Sequence, residues 1–271
     1  MRLASSIFGA ALVLFLGLVL FLRWYQRAAL FPASQVRFPE GRDRGVLAVR
    51  SDPPLAGAFF RAEDPAAPAI LYFHGNGESA AHNVGLADFF VSHGHSVFLA
   101  EYRGYGGQPG TPTEDGLLED ARDAWKALDG LGVPAGKRIL MGRSLGAAVA
   151  AGLAADLSAG PPALVVLVSP FTSVSDMARP VVGWLTPLAV RDRFDTAGRV
   201  PRISAPLVIV HGTHDEVIPF AMGEALARSR PGSGFVAIPR GTHNDLPGLD
   251  GILLGEIEKA LVASGIERGQ P

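Results

Sequence analysis

The 271-residue sequence contains no cysteine. This absence excludes a disulfide framework, a thiol nucleophile and a cysteine-ligated zinc site, although it does not fix the cellular compartment. Charged residues make up only 18% of the chain, and the formal net charge is −2. A protein that binds nucleic acid needs a basic surface, so nucleic acid is excluded as a partner. The sequence also lacks internal repeats and low-complexity blocks.

Charge is absent from residues 3–22, and residues 7–22 are apolar without interruption. At about 1.5 Å per residue, this run approaches the roughly 30 Å hydrocarbon core of a bilayer. It is longer than the apolar region of about 7 to 15 residues in a cleaved signal peptide, and no small-x-small cleavage site follows it. We therefore predict a single-pass membrane anchor with its flank at residues 1–30. A cleaved signal peptide is the alternative.

The flank of this run is typical of a membrane interface. Trp24 and Tyr25 lie where aromatic belts form, and Arg23 and Arg27 are placed to reach lipid headgroups. Arginines on both sides of the span leave the orientation of the catalytic domain undecided, with a weak preference for the cytoplasm.

The remaining chain has the size of one α/β domain. Residues 31–45 are predicted to be a connector and residues 46–271 a single domain, in a chain that is 48% hydrophobic. The domain is predicted to begin with an antiparallel hairpin whose strands are separated by a turn at residues 51–54. Alternating strands and helices then indicate a mostly parallel twisted sheet with helices on both faces. The predicted strands cover residues 46–50, 57–61, 69–73, 96–100, 137–141, 163–168, 206–210 and 235–238, and the predicted helices cover 80–93, 113–131, 145–157, 220–229 and 249–263.

The pentapeptide at residues 142–146, GRSLG, fits the G-x-S-x-G nucleophile elbow. A predicted strand precedes it, and an alanine-rich helical pattern without proline follows it. The elbow holds a serine at a sharp strand-to-helix turn, and glycine at both ends avoids collisions with neighbouring chain. The sequence therefore predicts that Ser144 is the nucleophile of a hydrolase.

The partners of this serine follow later strands in the order Ser, Asp, His that the elbow predicts. Asp215 follows the strand at 206–210, and His243 follows the strand at 235–238. Because ligands of an open α/β sheet bind beyond the carboxyl ends of its strands, the three side chains are expected to meet there. His243 is predicted to accept and return the serine proton, while Asp215 holds the imidazole in the required tautomer.

Other residues compete for these assignments. The alternative acids are Asp176, Asp195 and Asp245, and a structural role is the alternative for His243. His211 and His214 flank Asp215 and are expected to order its loop.

Serine attack on a carbonyl creates an oxyanion, which needs donors positioned beforehand. One backbone N–H is expected from Leu145, and the other from the loop at residues 74–79, where Asn76 is preferred over its neighbours Gly75 and Gly77. This loop matches neither G-x-G-x-x-G after a first strand nor G-x-x-x-x-G-K-[ST], which disfavours a nucleotide site.

The alternation of strands and helices lapses over residues 170–205. Apolar residues at helical spacing, interrupted by Pro187, indicate a helix there. This insertion fits equally a lid over an apolar acyl pocket and a helix packed on the sheet. The predicted substrate-contacting residues are Gly75, Phe171, Trp184, Leu185, Val217 and Ile218.

With this constellation the chain resembles the α/β-hydrolases, and more narrowly the bud-emergence (Bem) branch of membrane-anchored serine hydrolases. The segments YRGYG at 102–106, SPFTS at 169–173 and HDEVIPF at 214–220 carry the narrower resemblance, which covers residues 30–262. The resemblance implies a carboxylic-ester or thioester hydrolase, with relatives that act on lysophospholipids, monoacylglycerols and acylated proteins. It also implies a structural ion pair for Arg103.

The sequence thus predicts a serine hydrolase that cleaves an acyl ester through an acyl-enzyme intermediate, without metal or organic cofactor. A lipid or another membrane-associated ester is the expected substrate. The same side chains would also serve a thioesterase, a depalmitoylase, or an amide or peptide hydrolase. An alternative from another class is a hydrolase-like binding protein without turnover.

Overall fold

The computed structural model describes residues 2–38, 46–51, 54–157 and 160–266. Within these residues a long N-terminal helix is followed by one sheet and the helices that cover it. The strands are β1 (Val46–Ser51), β2 (Pro54–Phe60), β3 (Ala69–Phe73), β4 (Ser96–Ala100), β5 (Arg138–Arg143), β6 (Leu164–Val168), β7 (Leu207–Gly212) and β8 (Gly234–Ile238). The helices are α1 (Arg2–Leu30), α2 (Val84–Ser92), α3 (Glu114–Gly130), α4 (Leu145–Asp156), α5 (Val174–Val182), α6 (Thr186–Ala189), α7 (Thr196–Arg199), α8 (Phe220–Ser229) and α9 (Leu249–Ala263).

The eight strands form one sheet in the order β1-β2-β4-β3-β5-β6-β7-β8. The hairpin β1–β2 is antiparallel and pairs antiparallel with β4, while β3 to β8 run parallel to one another. The predicted α/β-hydrolase fold is confirmed, including the antiparallel hairpin at the sheet edge.

Apolar side chains cover both faces of the sheet. Along β3, Leu71 and Phe73 face one core and Ile70 and Tyr72 face the other. The first core contains side chains from α3 and α4, and the second contains side chains from α2 and α9. Parallel strands buried on both faces have continuous apolar sequence, which explains why these strands were recognisable without an alternating pattern.

Several boundaries differ from the prediction. Strand β2 begins at Pro54 rather than 57, because residues 54–56 pair with β1, whereas the pairing with β4 begins at Gly57; turn residues 52 and 53 lie outside the described residues. The predicted helix at 80–93 begins with a 3-10 turn at Ala80–Asn83, whose first N–H donates to the Glu101 carboxylate at 3.1 Å. In the predicted connector, residues 31–38 have no regular secondary structure, and 39–45 lie outside the described residues.

The strand order changes direction around β3, and this change positions the site. From β3 the chain crosses to β4 on one side, whereas the later strand β5 lies on the other side of β3. The helices after β3 and β5 cover opposite faces of the sheet, so the two loops diverge and leave a crevice between them. The loop after β3 contains Asn76, and the turn after β5 contains Ser144.

The N-terminal helix α1 is continuous over 29 residues. Its segment Ile7–Leu30 has a mean hydropathy of 2.3 and is long and apolar enough to cross a membrane, a test that a signal sequence also passes. The predicted flank at 23–30 is therefore part of the same helix. Phe31, which follows it, is buried against Phe194 with ring centroids 6.2 Å apart.

Candidate active site

Ser144 lies at the turn between β5 and α4 in a strained conformation, with φ 54° and ψ −117°. A positive φ is uncommon for a residue with a side chain, and such strain is concentrated at functional sites. The Ser144 N–H donates to the carbonyl of Val168 at 2.9 Å, which fixes the turn to β6. A Cβ at Gly142 would collide with the Gly146 carbonyl, and one at Gly146 with the Phe73 carbonyl. The two motif glycines therefore permit the close packing that the turn requires.

Three side chains predicted from distant parts of the sequence meet at this turn. The Ser144 Oγ lies 3.2 Å from the His243 Nε2, and the His243 Nδ1 lies 2.8 Å from the Asp215 Oδ2. Hydrogen bonding of Nδ1–H to a carboxylate leaves Nε2 unprotonated and able to accept the serine proton. The arrangement can carry out nucleophilic catalysis with a general base.

The Asp215 carboxylate is surrounded by donors. Its Oδ1 accepts backbone N–H groups from Val217 at 3.0 Å and Ile218 at 2.7 Å, while Oδ2 also lies 3.4 Å from the His211 Nε2. Burial by itself raises the pKa of Asp215, but the hydrogen bonds from His211, His243 and Ile218 outweigh it, and the pKa lies well below its ordinary value. Asp215 is therefore ionised throughout the neutral range.

The two predicted oxyanion donors lie beside the nucleophile. Leu145 is the first residue of α4, so its N–H has no acceptor within the helix. Asn76 and Leu145 line the same cavity as Ser144. Their role as donors to an oxyanion stays a prediction.

Sequence reasoning did not identify the hydrogen-bonded pair that supports the loop after β3. The buried His74 Nε2 lies 2.8 Å from the Glu101 Oε1, and its Nδ1 lies 2.8 Å from the Gly75 carbonyl. Both ring nitrogens are therefore within hydrogen-bond distance of an oxygen, which fixes the orientation of the ring. The Tyr102 hydroxyl donates to the His74 carbonyl at 3.2 Å. Side chains at the end of β4 thus hold the loop that carries Asn76.

A second support crosses the site through Arg143, the residue before Ser144. Its Nη1 donates to the Glu78 Oε1 at 3.1 Å, and its Nη2 donates to the His243 carbonyl at 2.7 Å. One guanidinium therefore connects the loop after β3 to the loop of His243. The elbow motif leaves this position free, so the pentapeptide did not point to this role.

The loop after β4 is held in a different way. Arg103 donates to the buried Asp120 carboxylate at 2.6 Å and to Glu119 at 2.7 Å. This is the structural ion pair that the resemblance implied for Arg103.

An apolar cavity of about 310 Å³ opens beside Ser144. Three of the predicted substrate-contacting residues, Phe171, Val217 and Ile218, line it. The residues predicted from sequence that are absent from its lining are Gly75, Trp184 and Leu185. The remaining lining residues are Leu22, Tyr25, Gln26, Ala29, Leu30, Asn76, Leu145, Val174, Met177, Ala178, Val181, Val182, Ala189 and Val190.

Trp184 and Leu185 lie outside the cavity lining because a turn intervenes, and their contact with a substrate stays a prediction. Helix α5 ends at Val182, and a 3-10 turn at Gly183–Leu185 leads away from the cavity. Trp184 is instead 77% exposed and stacks on Phe15 of α1, with ring centroids 6.3 Å apart. Gly75 is buried beneath the loop, where its carbonyl contacts the His74 ring.

The last turns of α1 contact the domain through two arginines. The Arg23 Nε donates to the Leu188 carbonyl at 2.8 Å, and the Arg27 Nη2 donates to the Pro112 carbonyl at 2.8 Å. These arginines therefore hold α1 against the domain. Five residues of α1 in the cavity lining were not anticipated, because an apolar run near a terminus has the same pattern whether or not it packs on a domain.

Similarity to known proteins agrees with this sheet, the strained turn at Ser144 and the three side chains that meet there. The chain belongs to the α/β-hydrolase superfamily. The family described as Serine aminopeptidase, S33 matches residues 64–192, which include Ser144. The narrower bud-emergence branch stays a prediction.

Individual relatives extend this likeness. The uncharacterized protein Rv2307c of Mycobacterium tuberculosis is 34% identical over 263 residues, covering 92% of each chain. The Lysophosphatidylserine lipase ABHD12 of Danio rerio is 33% identical over 177 residues, covering 59% of this chain and 46% of that protein. Among solved structures, Est1E from Butyrivibrio proteoclasticus superposes with a TM-score of 0.67 at 17% identity, covering 80% of this chain and 98% of Est1E, and so supports the fold.

Proposed function

We propose that this protein is a serine hydrolase that cleaves an acyl ester of a membrane-associated substrate. The observation that carries the proposal is the hydrogen-bonded series Ser144, His243 and Asp215 beside an apolar cavity that Ser144 lines. Serine alone is a weak nucleophile at neutral pH, and an adjacent imidazole oriented by a carboxylate makes it reactive. The proposal therefore requires a single nucleophile among the described residues, Ser144.

The reaction would proceed in two steps. Ser144 Oγ attacks the ester carbonyl while His243 Nε2 takes its proton, and His243 then returns that proton to the departing alcohol. The acyl group stays on Ser144 until water, activated by the same imidazole, releases the acid. The negative charge on the carbonyl oxygen would be met by the backbone N–H groups of Leu145 and Asn76, a contribution often worth about 3 kcal/mol of barrier for a single donor.

The cavity favours an acyl chain over a peptide. Its lining is almost entirely apolar, and none of the described residues that form it carries a carboxylate. The matching family is described as a serine aminopeptidase, which would need a counter-charge for a free α-amino group. The relative named as a lysophosphatidylserine lipase supports a lipid ester instead. A thioester of a membrane-bound acyl group meets the same cavity and the same nucleophile.

The apolar helix α1 supports the proposed location at a membrane. We propose that it remains attached as a single-pass anchor, because its last turns pack on the domain through Arg23 and Arg27. Loss of the helix by cleavage would remove these contacts.

A fluorophosphonate probe tests the nucleophile directly. The full-length protein should be labelled once, and Ser144→Ala should lose the label while remaining folded by circular dichroism. Ser92→Ala, which changes a partly exposed serine at the end of α2, is the matched control and should be labelled like the wild type. A folded wild-type protein that does not react, or equal labelling of Ser144→Ala, would reject the proposed function.

A further inference from the structure

The last turns of the anchor helix form part of the active-site cavity. Leu22, Tyr25, Gln26, Ala29 and Leu30 line it together with Ser144. Their spacing places them on one face of α1, because residues three and four apart are neighbours on a helix surface. We call these five residues the anchor face. A helix that only anchored the domain would not be expected to line the cavity that contains Ser144.

Polar contacts hold the anchor face in position. Gln26 donates through Nε2 to the Asp192 carbonyl at 3.2 Å and accepts at Oε1 from the Arg191 N–H at 3.4 Å. Arg23 and Arg27 add the bonds to Leu188 and Pro112 described above. Three polar side chains of α1 thus bind the domain, while Leu22, Ala29 and Leu30 present apolar groups to the cavity.

The surface next to the anchor face is apolar and exposed. Val181 is 84% exposed and Trp184 is 77% exposed, at the end of α5 and in the turn after it. Besides the anchor face, helix α5 also lines the cavity, through Val174, Met177, Ala178, Val181 and Val182. Val181 both lines the cavity and contacts solvent, so the cavity reaches the surface beside this apolar patch.

The stacking of Trp184 on Phe15 sets the depth of this patch in a bilayer. Phe15 lies in the middle of the uninterrupted apolar run at 7–22, and about 10 Å of helix separates it from Leu22. If α1 crosses the membrane, Trp184 therefore lies among the acyl chains. The cavity mouth beside Val181 then faces the bilayer and not the aqueous phase.

We propose that the anchor face is a substrate-binding surface, and that one acyl chain of a membrane-resident ester enters from the bilayer between α1 and α5 to reach Ser144. This inference rests on the proposed function. It adds that the substrate enters from the bilayer and that the cavity binds one acyl chain. A cavity of about 310 Å³ is at the small end of ligand pockets, which commits it to a single chain. The favoured substrate class is a monoacyl lipid.

Two alanine substitutions on α1 provide the test. Ala28 and Ala29 are both exposed neighbours, and of the two only Ala29 lines the cavity. The full-length protein is placed in vesicles of ether-linked phosphatidylcholine, which it cannot hydrolyse as an ester. The rates measured are kcat/KM for 1-palmitoyl-lysophosphatidylcholine in the vesicles and for p-nitrophenyl acetate in solution.

Ala29→Trp should lower the ratio of long-chain to acetate kcat/KM by about tenfold or more, because the indole occupies space that the chain needs. Ala28→Trp should leave the ratio within about twofold of the wild type. An unchanged ratio in Ala29→Trp, or an equal fall in Ala28→Trp, would overturn the role of the anchor face. Fluorophosphonate labelling of wild type in the same vesicles separates the failures, since loss of labelling overturns the proposed function and retained labelling with an unchanged ratio overturns only this inference.

A second pair protects the test against misfolding of the tryptophan variant. Leu22→Ala removes apolar contact from the anchor face, and Leu20→Ala removes the same group from a residue outside the cavity lining. The first should lower the ratio by about threefold or more, in line with the loss of buried methylenes, and the second should not.

Dipalmitoyl phosphatidylcholine should be hydrolysed at least about tenfold more slowly than the lysolipid, because its second chain is not accommodated. Equal rates would overturn the single-chain assignment.

Discussion

Two regions border one cavity, the nucleophile edge and the anchor face, and they differ in burial, polarity and hydrogen bonding. We use nucleophile edge for Ser144, Asp215 and His243 at the carboxyl ends of the strands. There Asp215 and His243 are buried, Ser144 is half-buried, and hydrogen bonds fix all three, with the Asp215 side chain fully enclosed. The opposing side is apolar and reaches a surface where Trp184 is 77% exposed.

This difference indicates a division between chemistry and recognition. Proton transfer requires donors and acceptors held within hydrogen-bond distance, which buried and fully paired groups supply. Recognition of a hydrocarbon chain requires apolar area and access, and neither depends on individual polar contacts. Substitutions at the nucleophile edge should therefore lower the turnover of all esters alike. Substitutions on the apolar side should lower the turnover of long-chain esters more than that of acetate.

The largest expected effect comes from removing the base. His243→Ala should lower kcat by up to about 10⁶-fold for every ester, because the serine proton then has no acceptor. His93→Ala changes a half-exposed histidine after α2 and should have little effect. Steady-state rates with p-nitrophenyl acetate and a lysolipid provide the measurement. A loss confined to one of the two esters would break the proposed division.

Replacement of the acid should be the next most severe change. Asp215→Asn should lower kcat by about 10⁴-fold, since the amide favours the wrong imidazole tautomer. Kinetics with the same two esters test this, and fluorophosphonate reactivity should fall in parallel. Full activity of the variant would transfer the acid role to one of the alternative carboxylates.

The same variant also changes the dependence of stability on pH. The folded-state pKa of Asp215 lies below its ordinary value of about 3.9, so its ionised form contributes stability above about pH 4 that is lost as pH falls toward the folded-state pKa. The Tm of wild type should therefore fall relative to that of Asp215→Asn between about pH 7 and about pH 3. Thermal melts of both proteins across this range provide the check, and parallel curves would contradict the proposed electrostatics.

Support of the oxyanion loop should have an intermediate effect. Glu101→Gln weakens the bond to His74 and the bond to the Ala80 N–H, so the loop that carries Asn76 loses its fixed position. We expect kcat to fall by about 10- to 100-fold for long and short esters equally, because displacement of a reacting group by 1 Å can cost about this much. Glu256→Gln, in an exposed pair with Lys259, is the control. A change in KM alone would contradict a positioning role.

The smallest effect is expected on the apolar side. Trp184→Ala should lower turnover of vesicle-bound lysolipid by about 2- to 10-fold, in line with the loss of one aromatic contact, and should not alter p-nitrophenyl acetate hydrolysis. Trp184→Phe preserves the stack on Phe15 and should restore most of the rate. Equal loss for both esters would remove the distinction between the two regions.

The same division explains what could be predicted from sequence. The strand ends that carry Ser144, Asp215 and His243 were recognisable because local motifs and strand order constrain each of them. The lining by Leu22, Tyr25 and Ala29 was not, because it depends on how α1 packs against a segment far away in the chain. The pair His74–Glu101 was missed for a similar reason, since its two members follow different strands.

The insertion at 170–205 also shows what the apolar pattern of a sequence cannot predict. Its apolar spacing indicated a helix, and α5 does contribute to the cavity. The turn at Gly183, with φ 56°, then redirects the chain and carries Trp184 away from the cavity. The pattern of apolar residues gives no sign of such a change in direction, so Trp184 and Leu185 were predicted to contact the substrate.

Chain-length dependence tests the central claim most directly. The measurement is kcat/KM of the full-length protein in ether-lipid vesicles for p-nitrophenyl esters from acetate through butyrate and octanoate to palmitate. An apolar cavity contributes up to about 0.8 kcal/mol per buried methylene, so kcat/KM should rise by about 100-fold or more from acetate to octanoate. A preference for acetate, or a flat series, would contradict an acyl-binding cavity beside Ser144.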